Sequence, residues 1–177
     1  MRLSILAVAA FAGLALALPS LGSLFTRVTP QDCEGDCLTR ADAKQIVDIY
    51  QQLIANYTDA VCEKYCADDF VDISDSINTF IFQPLGGPTF ASKQIFMDAQ
   101  KNNPPFPVVI DSIDAVDCTA IGLRWHATFG AANKTAKGIT ILDTTKKAGW
   151  WQIKMIDVEF NSLIWLLDMG GNYTWAG

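Results

Sequence analysis

The sequence predicts an α+β domain in which three N-terminal helices pack against a curved antiparallel sheet. Two observations support this fold class. The first half of the chain has apolar residues at helical spacing, whereas residues 108–160 contain long alternating runs rich in β-branched side chains. Half of the 177 residues are hydrophobic and 18% are charged, which is typical of a folded domain and excludes a disordered chain.

The start of the chain has the pattern of an export signal. Arg2 precedes an apolar run over residues 3–18, in which residues 15–17 form a small-x-small cleavage pattern. The run is shorter than the ~20 residues that span a bilayer, and Pro19 follows it. We therefore predict a signal peptide at residues 1–17, a secreted extracellular product and no membrane partner after processing.

Three further segments follow the predicted signal. Residues 18–36 contain proline and glycine without apolar periodicity and are expected to be a leader. Residues 37–170 are predicted to be one domain, and residues 171–177 its tail. The net charge of −6 and the lack of a lysine or arginine cluster exclude nucleic acid as an expected partner.

Capping residues and apolar spacing predict the helices. Thr39 and Asp42 resemble a capping box ahead of apolar residues at helical spacing, which indicates a first helix. A second is predicted over residues 59–68 with Thr58 as N-cap, and a third over residues 92–101, before two prolines.

The strands are predicted from alternation and β-branched content. Their expected ranges are residues 70–77, 108–116, 119–129, 137–144 and 150–160. The last four form an antiparallel meander. A final helical turn over residues 163–169, capped by Ser162, is expected to end at a pair of glycines.

Five cysteines are expected to favour disulfide pairing over a zinc site, because an exported chain meets an oxidising compartment. We favour a bond between Cys37, directly before the first helix, and Cys118, at the start of a long strand. Cys62 and Cys66 lie one helical turn apart, so a bond between them is optional. Cys33 is either the odd thiol or a partner of Cys62 or Cys66.

Three Asn-x-Ser/Thr sequons would meet the glycosylation machinery during export. Their asparagines are Asn56, Asn133 and Asn172. All three fall at predicted helix ends, turns or the tail, and we expect at least one of them to carry a glycan.

Four segments of the chain resemble the secreted fungal branch of the nuclear transport factor 2-like (NTF2-like, SnoaL-like) superfamily. They are residues 68–78, 84–90, 123–125 and 158–162. The resemblance implies a cone-shaped α+β barrel with an internal pocket, the architecture of scytalone dehydratase, ketosteroid isomerase and polyketide cyclases. It implies no particular activity, since the superfamily contains enzymes, transport adaptors and binding modules.

Two polar rows on predicted strands are candidates for a catalytic site. Arg124 and His126 share one face of their strand, and Asp157, Glu159 and Asn161 share one face of the last long strand. If both rows point into the barrel, a cation, an imidazole and two carboxylates converge there for proton transfer. If they point outward, they form the wet face of an antiparallel sheet.

Comparison with ketosteroid isomerase adds Tyr50, Asp72 and Asp75 as residues of matching type, although the two aspartates are equally suited to turn and capping chemistry. We expect the large aromatic residues to fill the core, or to line a pocket for a flat apolar ligand.

The sequence thus predicts a secreted protein that binds a small apolar molecule without a cofactor. The alternative is a cofactor-free lyase or isomerase acting on a secondary metabolite; the oligomeric state, a homodimer included, stays open.

Overall fold

The structure is a computed structural model, and it describes residues 36–174. These residues form five helices and six strands in an α+β arrangement, which confirms the predicted fold class. The helices are α1 (Arg40–Ala55), α2 (Asp59–Tyr65), α3 (Asp75–Ile81), α4 (Lys93–Gln100) and α5 (Ser162–Asp168). The strands are β1 (Cys66–Ile73), β2 (Pro88–Phe90), β3 (Val108–Val116), β4 (Ala120–Phe129), β5 (Lys134–Lys147) and β6 (Trp150–Phe160).

All six strands form one sheet in the order β2-β1-β6-β5-β4-β3. Its neighbouring strands are antiparallel except for β1 and β6, which are parallel. The expectation of a wholly antiparallel sheet was therefore wrong at this one pair. The chain leaves β1, builds β2 to β5, and only then returns to β6 beside β1, so the direction of β6 is set by the meander that precedes it.

The sheet has a buried inner face, which the helices cover, and a solvent-facing outer face. Burial alternates along β4 and β5, with Leu123, Trp125, Thr140 and Leu142 on the inner face. Helix α1 packs on that face through its own apolar row, and Leu53 in this row is completely buried. The apolar residues that repeat every 3.6 positions in the helix and every 2 positions in the strands therefore pack together in one core.

The capping predictions hold for the first two helices. Thr39 and Asp42 form a reciprocal capping box at α1, and the Thr58 side chain accepts from the backbone N–H of Val61 at α2. The last helix differs, because Asn161 and not Ser162 is its N-cap. The asparagine side chain reaches the N–H of Ile164 at 3.1 Å and satisfies one of the free donors of the first turn.

The segment after Asp72 also differs from its prediction. Strand β1 ends at Ile73 instead of residue 77, and Ser74 caps α3 by accepting from the N–H of Ile77. Helix α2 ends at Tyr65, three residues before its predicted end at residue 68, and β1 begins directly after it with Cys66.

A disulfide joins Cys37 to Cys118 across 81 positions of sequence, which confirms the favoured pair. It ties the segment before α1 to the β3–β4 hairpin, where the N–H of Leu38 also donates to the carbonyl oxygen of Cys118 at 2.9 Å. Cys62 and Cys66 are buried thiols, and Cys33 lies outside the described residues. Among the described residues, no helix is long and apolar enough to cross a membrane.

Candidate functional site

A polar network lies inside the core, between α1 and the inner face of the sheet. The hydroxyl of Tyr50 is 3.0 Å from that of Thr140, and the indole Nε1–H of Trp125 donates to the same Thr140 oxygen at 3.0 Å. All three side chains are buried. Burial raises the pKa of Tyr50 above its ordinary value, so its hydroxyl stays protonated and can act as a hydrogen-bond donor.

The position of the Trp125 indole depends on the residue opposite it in the sheet. Gly138 pairs with Trp125 in the β4–β5 ladder, and a Cβ atom added at Gly138 would overlap the indole ring. The missing side chain lets the ring lie flat across β5 and reach Thr140, two residues further along the same face.

Asp72 is a buried carboxyl on the inner face of the sheet. It lies on β1 opposite Ile156 of β6 and is only 3% exposed. Its Oδ1 has no hydrogen-bond partner among the described residues. Burial, together with the nearby charge of Asp157, raises the pKa of Asp72 to about 8, so the carboxyl is mostly protonated at neutral pH.

The Tyr50 network and Asp72 belong to one interior site. Both side chains are buried in the same core, and the charge of Asp72, when present, contributes to the raised pKa of Tyr50. A protonated carboxyl and a phenol offer two O–H donors, and the unpartnered Oδ1 offers an acceptor. The site can therefore hydrogen-bond a carbonyl or hydroxyl group of a molecule held in the core.

Four half-buried aromatic rings lie next to this network and contact one another. They are Phe106, Phe129, Phe160 and Trp165, with ring centroids 4.3 to 5.0 Å apart in four pairs. The cluster reaches the interior because Phe106 and Phe160 lie 6.2 and 6.1 Å from Trp125. An apolar, partly solvent-accessible surface thus leads to the buried Trp125–Thr140–Tyr50 network.

Arg124 and His126 do not enter the interior. The Arg124 side chain is 60% exposed and pairs with Asp114 through two hydrogen bonds of 2.6 and 2.9 Å. The ring Nδ1 of His126 lies 2.6 Å from Oδ1 of Asp111. Since the neighbouring Trp125 faces the core, period-two geometry sends both polar side chains to the outer face. The inward arrangement of these two residues is therefore wrong.

Glu159 is also outside the core, where its carboxylate binds the first turn of α3. It accepts from the backbone N–H of Asp75 at 2.6 Å and of Ser76 at 3.0 Å, and from the Ser76 hydroxyl. A carboxylate at the N-terminus of a helix accepts from backbone N–H groups that have no partner within the helix, and it interacts favourably with the helix dipole. The row of Asp157, Glu159 and Asn161 does not converge with His126 inside the protein, and that hypothesis too is wrong.

Asp75 and Asp72, which the sequence left open, have different environments. The carboxylate of Asp75 accepts from the backbone N–H of Gly86 at 2.7 Å and holds the loop before β2. Asn78 holds the same loop through hydrogen bonds to the carbonyl oxygens of Pro84 and Gly87. Asp75 therefore has turn chemistry, whereas Asp72 is buried and its Oδ1 has no hydrogen-bond partner in the described part of the chain.

Two open depressions, of about 550 and 450 Å³, lie along the sheet. Arg124, Lys137 and Asp111 line both of them. The Asp114 carboxylate neutralises the guanidinium of Arg124, which holds the pKa of Asp114 below its usual range. In the described part of the chain, no three His, Cys, Asp or Glu side chains come together as a metal site would require.

Thr140 was missed as a site residue, although its pattern was readable. It lies two residues after Gly138 and two before Leu142, in the buried row of an alternating strand. A glycine and a threonine on the buried face of a strand indicate a close approach and a buried hydroxyl.

A mixed sheet covered by helices on one face, with a tyrosine on the first helix directed into the core, defines a small α+β domain with an interior polar site. The model of the NTF2-like domain family matches residues 36–172. The chain therefore belongs to the NTF2-like family. No curated protein matches it.

Three solved structures from bacteria have a similar fold and low sequence identity to this chain. A hypothetical protein with a ketosteroid isomerase-like fold from Catenulispora acidiphila, in complex with trimethylamine, has a TM-score of 0.55 at 10% identity, covering 75% of this chain and 98% of that one. A putative SnoaL-like polyketide cyclase from Jannaschia sp. has a TM-score of 0.51 at 10% identity, covering 73% and 94%. An NTF2-like protein of unknown function from Burkholderia xenovorans has a TM-score of 0.50 at 9% identity, covering 77% and 89%. These likenesses concern the fold alone.

Proposed function

We propose that this NTF2-like protein is secreted and binds a small, flat, apolar molecule in its interior. The single observation that carries the proposal is the Asp72 carboxyl, which is buried in the core with an oxygen that has no hydrogen-bond partner among the described residues. Buried polar groups without partners are rare in folded proteins and cost about 1–3 kcal/mol each. A ligand hydroxyl or carbonyl that bonds to Asp72 would offset this cost.

The chemical class of the ligand follows from the surroundings of Asp72. The aromatic cluster of Phe106, Phe129, Phe160 and Trp165 favours a flat apolar body. The Asp72 carboxyl is mostly protonated at neutral pH. It would accept a cationic ligand better than a fully apolar site would, but it is best suited to a neutral hydroxyl or carbonyl group. We therefore expect one or two polar groups on an otherwise apolar ring system, as in a phenolic, sterol or polyketide compound.

Secretion, as in the fungal branch that the sequence resembles, rests on three independent features. The first 17 residues have the export pattern, Cys37 and Cys118 are bonded, and all three sequon asparagines are solvent-exposed. Asn133 stands at the β4–β5 turn in a left-handed conformation with φ of 50°, which asparagine adopts more readily than most residues. N-terminal sequencing of protein from the medium should give Leu18, with a mass loss on deglycosylation; an intact Met1 on the secreted product would contradict it.

Native mass spectrometry tests the binding function directly. Protein purified from the medium should carry a copurifying molecule, which solvent extraction then identifies. Asp72→Leu replaces both oxygens of the carboxyl with methyl groups in the same branched arrangement and should lose the adduct. Asp69→Asn is the matched control on the same strand, since Asp69 is 66% exposed and pairs only with Lys154 at 3.3 Å among the described residues. Wild-type protein without any adduct, or an adduct equally retained by Asp72→Leu, contradicts the proposal.

A second function, a cofactor-free lyase or isomerase, is favoured by one further observation. A carboxyl with a pKa of about 8 in the same core as a protonated phenol is suited to transfer a proton near neutral pH. Asp72→Asn separates the two functions, because the amide can still hydrogen-bond a ligand but cannot accept a proton. Turnover of the extracted compound that is abolished in Asp72→Asn while binding persists indicates the enzyme; binding by both proteins without turnover indicates the binding module.

A further inference from the structure

Cys62 and Cys66 form a pair of thiols away from the interior site. Cys62 lies on α2, Cys66 is the first residue of β1, and the backbone N–H of Cys66 donates to the carbonyl oxygen of Cys62. The two Sγ atoms are 3.1 Å apart in a sulfur–sulfur hydrogen bond, and both residues are completely buried. A shift of about 1 Å would bring the sulfurs to the ~2.05 Å of a disulfide.

The environment makes the two thiols unequal. The hydrogen bond between the two thiols and the positive charge of Lys93 lower the pKa of Cys62, whereas the same hydrogen bond and burial raise the pKa of Cys66. The ammonium group of Lys93 is fixed at this position, since it donates to the carbonyl oxygens of Glu63 at 2.9 Å and Cys66 at 2.8 Å. Cys62 is therefore the better nucleophile, and Cys66 is the neighbouring thiol that stays protonated.

A local opening of the fold at α2 would admit a small reagent to the two thiols. Helix α2 has only seven residues, and Cys62 is its one buried residue. A helix this short depends on its few contacts, so it opens more readily than the sheet does. A reagent as small as a peroxide needs a smaller opening than a bulky disulfide would.

We propose that Cys62 and Cys66 are a peroxide-oxidisable dithiol, in which Cys62 is the attacking thiol and Cys66 the resolving thiol. The Cys62 thiolate attacks one oxygen of hydrogen peroxide, the O–O bond breaks, and a sulfenic acid and hydroxide form. Cys66 then attacks the Cys62 sulfur. The S–S bond forms, the S–O bond breaks, and the hydroxyl leaves as water with the Cys66 proton. Two thiols are oxidised to one disulfide, and one peroxide is reduced to two waters.

The wild-type protein provides the first test. It is reduced gently, shown by peptide mapping to retain the Cys37–Cys118 bond, and treated with hydrogen peroxide in the native state. A crosslinked peptide containing Cys62 and Cys66 is expected. Recovery of both as thiols from native protein, with oxidation only after denaturation, would show inert buried cysteines and overturn the proposal.

The order of attack is tested with two single variants and a cyclic diketone that traps sulfenic acid. Cys66→Ser should accumulate the trapped adduct on Cys62, because the resolving thiol is gone. Cys62→Ser should leave Cys66 unlabelled. Equal labelling of both variants would contradict the assigned roles, and the wild-type crosslink remains a test if either variant does not fold.

The role of Lys93 is tested by the rate of oxidation. Lys93→Met should slow the peroxide reaction of native protein several-fold, because it removes the charge that favours the Cys62 thiolate. Lys44→Met is the control, since Lys44 lies on α1 in an exposed pair with Asp48. Equal rates in both variants would exclude Lys93 as a positioning residue.

Discussion

Substitution of Asp72 by asparagine should change how the stability of the protein depends on pH. The pKa of Asp72 is raised to about 8 in the folded state, whereas an aspartate in an unfolded chain titrates near 3.9. Between these values the unfolded chain releases the proton and the folded protein retains it. This carboxyl therefore leaves folding undisturbed at low pH and opposes it increasingly as the pH rises towards 8, with no further change above that value.

The magnitude follows from the width of this interval. One pH unit corresponds to about 1.4 kcal/mol, so between pH 4.5 and pH 7.5 the free energy of unfolding of wild-type protein should fall by up to about 4 kcal/mol through this group. Asp72→Asn cannot ionise and should lack this component. The variant should match wild type near pH 4.5 and exceed its stability at pH 7.5.

Urea unfolding at four pH values between 4.5 and 7.5, followed by tryptophan fluorescence, measures the difference between the two proteins. Other titrating groups are common to both and cancel in this difference. Asp69→Asn is the control on the outer side of the same strand and should run parallel to wild type. A constant stability difference between Asp72→Asn and wild type across the range would refute the buried, protonated carboxyl.

Three other changes test the packing that surrounds the site. Gly138→Ala should destabilise the protein by about 1–3 kcal/mol in thermal unfolding, because its Cβ would overlap the Trp125 ring. Gly122→Ala is the control and should be close to neutral, because its Cβ would lie 3.6 Å from the nearest atom. Trp125→Ala should cost about 3–5 kcal/mol; a loss below about 1 kcal/mol would mean that this ring is not a core element. Non-reducing peptide mapping should recover Cys37 crosslinked to Cys118, and replacing both with alanine should cost about 2–5 kcal/mol in urea unfolding; free Cys118 in secreted protein would contradict the bond.

The long strands and the first helix could be predicted because local pattern determines them. The apolar row that contains Trp125 alternates with the polar row that contains Arg124, and burial of one row fixes the direction of the other. The position of Thr39 before the apolar residues of α1 identified the start of that helix. Such features depend on residues within a few positions of each other.

The features that could not be predicted depend on partners far along the chain. Glu159 binds the first turn of α3 across more than 80 positions, and the alternation of its strand says nothing about that helix. The parallel pairing of β1 with β6 likewise depends on where the meander returns. Helix α3 itself was readable, since Ser74 is a cap residue followed by apolar residues at helical spacing, but the preceding alternation favoured a longer strand.

The interior site was only partly readable for the same reason. Tyr50 and Asp72 could be named by residue type, but their burial in one core requires α1 to pack on the inner face of the sheet. The contribution of Thr140 depends on the space that Gly138 leaves for the Trp125 indole. Packing between distant segments decides these contacts, and no local pattern encodes it.

Xenon-pressurised crystals test most directly whether the interior accepts an apolar molecule, because xenon occupies apolar cavities whatever the natural ligand is. We expect xenon in the core, on the inner side of the sheet, and loss of that xenon when the extracted ligand is added. Xenon found only on the outer face, beside Ile139 and Ile141, which are 57% and 41% exposed, would contradict interior binding.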